Sequence, residues 1–143
     1  VLSPDRTCSI LLAGTLSKLR GIVRYSPYGS PQFPLEMDRL GREAVVRAPT
    51  LRYIRIDLGA MPMRTVEDWQ RGFDVRIAGD SRWQNRKIGS FSGRRAQGRT
   101  GLVVYPTGTH DIRFRCDDKT EWRGQLTVSE QGPFGEIVPI SKR

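Results

Sequence analysis

The stretch Asp111-Ile112-Arg113-Phe114-Arg115-Cys116 decides the fold class, because apolar and charged residues alternate in it with a period of two. Successive side chains of a β-strand point to opposite faces of its sheet. Ile112, Phe114 and Cys116 therefore share one face, and the charged residues share the other. The pattern predicts a strand with one buried face and one solvated face.

The same alternation recurs at residues 54–58, 73–77 and 122–128, so we expect four half-buried antiparallel strands. Other apolar runs add strand candidates at residues 8–16, 19–25, 43–47, 102–105 and 135–140. The 15 glycines and 9 prolines fall between these runs and mark turns. The rhythm predicts an all-β fold, an antiparallel, jelly-roll-like β-sandwich of about eight to ten short strands.

One helical signal interrupts this rhythm, at residues 65–71. Thr65 is suited to cap a helix, and Glu67 and Asp68 suit the positive N-terminal end of one. Gly72 ends the signal. At most one short helix is predicted.

A chain of 143 residues is of single-domain size, and we expect one β-sandwich domain over residues 1–143. No run of 18 apolar residues is present, so no membrane insertion is expected. The chain begins Val-Leu-Ser-Pro, without a methionine. Either the chain has been trimmed, or a signal peptide has been removed from it. We take the second interpretation and expect a secreted or periplasmic protein.

Cys8 and Cys116 are the two cysteines, each inside an apolar run. An even count in a small domain permits a disulfide, which here would join the first strand to a late one. The alternative is two buried thiols in a cytosolic protein.

The chain is strongly basic, with a net charge of +9. Arginine predominates among the cations, and its planar fork recognises phosphate, sulfate and carboxylate. A biased genomic composition explains the same count. For the arginines that alternate with core residues we favour a role in solvating the outer strand faces: Arg55, Arg76, Arg113 and Arg115.

Residues 81–101 differ from the rest, because they contain six basic residues and no acid. No acidic residue occurs between Asp80 and Asp111, so this segment concentrates positive potential. Trp83 and Phe91 offer rings for stacking on sugars or bases. A second candidate loop, residues 24–34, presents tyrosines among prolines. The predicted ligand-binding residues are Tyr28, Arg82, Trp83, Asn85, Arg86, Lys87, Arg94, Arg95 and Arg99. The alternative is a solvated hairpin loop with one core tryptophan.

Catalytic signatures are weak. His110 is the only histidine, and it stands beside Asp111, whose side chain should point to the opposite face of a strand. We expect His110 at a turn or edge rather than in a catalytic triad. One histidine with two distant cysteines does not supply a standard zinc site. No catalytic residue, cofactor or metal is predicted.

Two stretches resemble the galactose-binding-like β-sandwich modules, which include discoidin and carbohydrate-binding domains. Residues 52–59, RYIRIDLG, are similar to their YVRIDLG strand, and residues 107–114, TGTHDIRF, to their GTHDVYF strand. The resemblance implies the fold, and no binding residue is carried over from it.

The sequence thus favours a non-catalytic module that binds a glycan or another anionic, cell-surface ligand through arginines and aromatic rings. A basic protein associated with nucleic acid is one alternative, marked by binding that weakens steeply with salt. A structural or assembly subunit, contacting a protein partner or a second copy of itself, is another.

Overall fold

The structure is a computed structural model of the chain. It describes residues 7–11, 22–23, 30–34, 36–40, 43–47, 49–88, 98–116 and 118–143. Before residue 49 it describes side chains only for residues 30–32.

Within these residues the chain forms twelve strands and one helix. The all-β class and the single short helix are confirmed. The strands are β1 (Thr7–Leu11), β2 (Ile22–Val23), β3 (Phe33–Pro34), β4 (Glu36–Leu40), β5 (Glu43–Arg47), β6 (Leu51–Asp57), β7 (Phe73–Arg76), β8 (Gln84–Arg86), β9 (Val103–Pro106), β10 (Gly108–Arg115), β11 (Glu121–Val128) and β12 (Glu136–Lys142), and the helix is α1 (Val66–Arg71).

The largest element is a seven-stranded sheet in the order β8-β7-β10-β11-β12-β6-β9. It is mixed, because β12 runs parallel to β6 and the other neighbours are antiparallel. The prediction of antiparallel pairing is therefore wrong for one of the two neighbours of β6, strand β12. Two smaller sheets have the orders β1-β5-β4 and β2-β3. Strands β3, β4 and β8 were not predicted, and β8 lies in the segment that we expected to be a loop.

The core fills the inner face of the seven-stranded sheet. The alternating residues of β10 and β11 divide as their period predicts, with Ile112, Phe114 and Leu126 almost fully buried. Strand β9 departs from the alternation, because all four of its residues are buried. Its outer face is therefore covered as well as its inner face.

A short segment, Ser30-Pro31-Gln32, joins the two edges of this curled sheet. The hydroxyl of Ser30 accepts a hydrogen bond from the backbone N–H of Val104 in β9, at 2.9 Å. The carbonyl of Ser30 accepts one from Nη1 of Arg86 in β8, also at 2.9 Å. Strands β8 and β9 are the opposite edges of the sheet, so it curls until one segment reaches both. We call this segment the seam.

The helix is capped as its sequence predicts. The hydroxyl of Thr65 accepts from the N–H of Asp68, and the carboxylate of Asp68 accepts from the N–H of Thr65. Gly72 follows with a φ of 73°, and a Cβ there would collide with the carbonyl of Arg86. A glycine is thus needed where the helix ends and β7 begins.

No helix of the described residues is long and apolar enough to cross a membrane.

Candidate functional site

Trp83 lies against two arginines on the outer face of the seven-stranded sheet. The Cζ atom of Arg113 is 4.3 Å from the centre of the Trp83 ring, and the Cζ atom of Arg76 is 5.0 Å from it. Both distances are within the range of cation–π attraction. We name Arg76, Trp83 and Arg113 the arginine–tryptophan cluster.

The register of β7 and β10 places the two arginines. Asp111 stands opposite Arg76, and Arg113 stands opposite Asp74. Because directly opposed residues share one face, each arginine meets a carboxylate, at 2.6 Å for Arg76–Asp111 and 2.9 Å for Arg113–Asp74. The hydrogen bond from Arg76 is the main cause that holds the pKa of Asp111 below its usual value. Asp111 is therefore ionised at neutral pH.

The ion pairs leave the guanidinium groups within reach of solvent. The exposed fraction of the side chain is 39% for Arg76 and 20% for Arg113. Ion pairs in such settings stabilise by about 0.2–1 kcal/mol, so an incoming anion can compete with the aspartates. The cluster can bind an oxyanion through N–H groups while Trp83 fixes the plane of the guanidinium groups.

Three of the predicted ligand-binding side chains make contacts inside the molecule, and their ligand-binding role stays a prediction. Arg82 pairs with Asp80 at 3.0 Å, and Asn85 donates to the carboxylate of Asp74 at 3.0 Å. Arg86 donates to the seam, as described above. These contacts hold β8 and the turn before it in place.

Two further predicted residues lie in the described part of the chain. Lys87 is exposed, and Arg99 is half-buried where its backbone forms an isolated antiparallel β-bridge with Asp57. Tyr28, Arg94 and Arg95 lie outside the described residues. Their role therefore stays a prediction.

Sequence reasoning missed Arg76 and Arg113 as site residues, since it gave them only a solvating role. A signal was present: Asp74-Val75-Arg76 and Asp111-Ile112-Arg113 repeat the pattern Asp-x-Arg. When two such strands pair antiparallel, each aspartate faces the arginine of the other strand.

His110 is a correction, because it lies in the interior of the molecule and not at a turn or an edge. Its ring is fully buried on central strand β10. Nδ1 accepts from the N–H of Ala78 at 3.0 Å, so the proton lies on Nε2, which donates to the carbonyl of Pro106 at 2.7 Å. Asp111 points to the outer face, as predicted. Burial lowers the pKa of His110. Its neutral ring links β10 by hydrogen bonds to the last residue of β9 and to the turn after β7.

Cys116 is half-buried and forms no disulfide with another described side chain, and the side chain of Cys8 lies outside the described residues. The Cys8–Cys116 disulfide therefore stays a prediction. Across the described part of the chain, no three His, Cys, Asp or Glu side chains group as metal ligands.

Comparison of the chain with protein-family models, curated proteins and solved structures finds no match. The resemblance to galactose-binding-like modules stays a prediction, and the function has to be argued from the site.

Proposed function

We propose that the chain is a non-catalytic binding module for an acidic glycan, acting outside the cytoplasm. One observation carries the proposal: Trp83, near the start of a 30-residue stretch without acidic residues (residues 81–110), lies against both Arg76 of β7 and Arg113 of β10. The net charge of +9 adds long-range attraction for a polyanion.

The chemistry of the cluster supports a sugar acid or sulfate more than a neutral sugar. Each guanidinium has N–H groups in one plane, which match the paired oxygens of a carboxylate or sulfate. Trp83 holds Arg76 and Arg113 side by side, so less rotational freedom is lost when a ligand binds.

The scaffold that we propose for this module is a β-sandwich. Two features support it: the one-sided core of the seven-stranded sheet and the separate sheet β1-β5-β4. The smaller sheet would then form part of a second layer.

Heparin binding tests the glycan proposal. Trp83→Leu removes the ring that orders both arginines, and we expect the Kd for heparin to rise by about 5- to 30-fold, or about 1–2 kcal/mol. Trp83→Phe keeps a ring and should retain most of the affinity. Isothermal titration calorimetry at physiological salt gives the constants.

Two matched controls accompany these variants. Tyr53→Leu removes an exposed aromatic ring from β6, which is separated from β7 by three strands. Arg55→Gln removes an exposed arginine from the same strand and is the control for Arg113→Gln. If the controls weaken heparin binding as much as Trp83→Leu and Arg113→Gln do, total charge and not the cluster binds heparin.

Nucleic-acid association is an outcome of the same experiment. We expect an oligothymidylate of matched charge to bind more weakly than heparin at the same salt concentration, while salt weakens the binding of both polyanions. Tighter binding of the oligothymidylate, with loss of affinity in Trp83→Leu, would assign the cluster to single-stranded nucleic acid.

A second candidate function, an assembly subunit, is favoured by one specific observation. Tyr53 and Phe134 pack their rings 5.1 Å apart on the surface, and Phe134 is 74% exposed. Ile137 is also exposed, on the outer face of β12 and directly opposite Arg55. An exposed group of large apolar side chains marks a contact with another protein.

A further inference from the structure

A groove of about 760 Å³ opens at one end of the seven-stranded sheet. None of its lining residues belongs to the arginine–tryptophan cluster, although Arg123 of the groove stands opposite Arg113 in the pairing of β10 with β11. It lies between the chain that leads into α1 and the start of β11, and the C-terminal residues close a third side. Pockets that hold small organic ligands have volumes of about 300–1,000 Å³. The size of the groove therefore fits a small molecule.

The floor of the groove is apolar. Trp122 occupies the first inward position of β11, opposite Phe114 of β10, and its ring packs against the core while one part stays accessible. Cys116 follows β10 and also packs against the core from the groove. The flat apolar part of a ligand can therefore pack on the accessible part of the Trp122 ring, while the core beneath it stays covered.

Gly124 explains why the indole can lie across β11. A Cβ at this position would be 2.5 Å from Cη2 of Trp122 and 2.6 Å from the carbonyl oxygen of Ser141. Any larger residue would displace the ring or separate β11 from β12. The sequence thus keeps a glycine at the point where the ring needs its space.

The rim of the groove has more free positive charge than negative charge. Asp118 accepts from the N–H and hydroxyl of Thr120, and Glu121 pairs with Arg123 at 2.6 Å. The carboxylate of Asp68 accepts backbone N–H groups at the start of α1. These contacts engage the acidic oxygens without removing their charge, and the groove is lined by four basic side chains against three acidic ones.

The basic groups of the rim are less engaged. Arg64 and Lys142 have exposed side chains, and neither forms an ion pair with another described residue. Arg143 reaches Asp111 only at 3.6 Å. Cations that line the edge of a concave apolar site attract and orient the acidic group of a ligand.

We propose that this groove binds a small organic anion with a flat apolar body, such as an aromatic carboxylate, sulfonate or phosphate ester. The body packs on Trp122 and beside Cys116, and the acidic group meets Arg64 and Lys142. This site shares no residue with the arginine–tryptophan cluster, so it does not depend on the proposed glycan function.

The test uses two fluorescent probes of nearly equal shape. 8-Anilinonaphthalene-1-sulfonate carries the anionic group, and N-phenyl-1-naphthylamine has the same rings without it. We expect the anionic probe to bind the folded wild-type protein at least about 10-fold more tightly, a difference of about 1.4 kcal/mol. Equal affinities, or no saturable binding of the sulfonate, would overturn the proposal.

Variants locate the binding. Arg64→Gln and Lys142→Gln should each weaken sulfonate binding by about 3- to 10-fold, the scale of one charge-assisted contact. Arg55→Gln makes the same charge change on the outer face of β6 and should leave it unchanged, as should Trp83→Leu. Equal weakening in Arg55→Gln would show attraction to net charge alone, and weakening in Trp83→Leu would place the probe at the other site.

Alkylation of Cys116, in protein that has been reduced and is shown to stay folded, gives a second, site-resolved measurement. The sulfonate should slow the reaction of Cys116 with iodoacetamide, which is measured on the peptide that contains Cys116 by mass spectrometry. The neutral probe at equal concentration should protect it much less. An alkylation rate that saturating sulfonate leaves unchanged would show that the ligand lies elsewhere and would overturn the proposal.

Discussion

His110 shows at the scale of one residue how burial couples stability to pH. Its pKa is lowered in the folded protein, chiefly because burial disfavours the charged ring. Protonation of Nδ1 also removes the acceptor of the Ala78 N–H group. Below the ordinary pKa of 6.5 the unfolded chain therefore binds more protons than the folded protein. The free energy of unfolding consequently decreases as the pH is lowered, by at most about 1.4 kcal/mol per pH unit.

Urea unfolding at a series of pH values from 7.5 to about 5 measures this dependence, in a window where carboxylates have little influence. In the wild-type protein we expect the free energy of unfolding to decrease as the pH falls through this range. In His110→Gln we expect this pH dependence to be lost, whatever the absolute stability of the variant. Because the chain has no other histidine, the same slope in both proteins would contradict the assignment of the buried neutral ring.

Single residues also show what the sequence could and could not predict about the site. Trp83 was identifiable because it lies near the start of the acid-free stretch, residues 81–110. Arg76 and Arg113 were expected only to solvate strand faces, because the choice of β7 as the partner of β10 is not written in either strand alone. The burial of His110 depends likewise on Pro106 and Ala78, which become its neighbours only after the sheet forms.

At the scale of elements, local pattern predicted the strands with clear alternation and the capped helix. It did not predict that β12 runs parallel to β6, since alternation is the same for both strand directions. It also missed β8, whose Gln84, Asn85 and Arg86 have no apolar residue among them. This edge strand is held by the preceding strand β7 and by the seam, whose Ser30 lies 56 residues before Arg86.

The hydroxyl of Ser30 in the seam is expected to contribute to the stability of the fold. In Ser30→Ala the buried N–H of Val104 loses its acceptor, and we expect the free energy of unfolding to fall by about 1–3 kcal/mol. Urea denaturation gives this value, and hydrogen exchange should show lost protection at the Val104 amide. Ser81→Ala, which truncates an exposed serine, is the control. A Ser30→Ala variant as stable as this control would show that the hydrogen bond contributes no net stability.

At the scale of the whole molecule, the net charge of +9 separates the two candidate functions by their response to salt. Two copies of a strongly basic chain repel one another, and salt screens that repulsion. Association through Tyr53, Phe134 and Ile137 should therefore strengthen as salt rises, whereas binding of a polyanion at the arginine–tryptophan cluster should weaken. The two dependences have opposite signs in the same protein.

Light scattering over a concentration series at low and high salt measures the association. We expect Phe134→Ser to keep the chain monomeric at high salt, because it removes the most exposed ring of the apolar group. Val66→Ser removes an exposed apolar side chain of α1 and should leave association unchanged. Neither change alters the net charge, so a difference between them can come only from the apolar contact. Association that is equal in both variants would rule out this surface as the interface and leave the acidic glycan as the ligand to pursue.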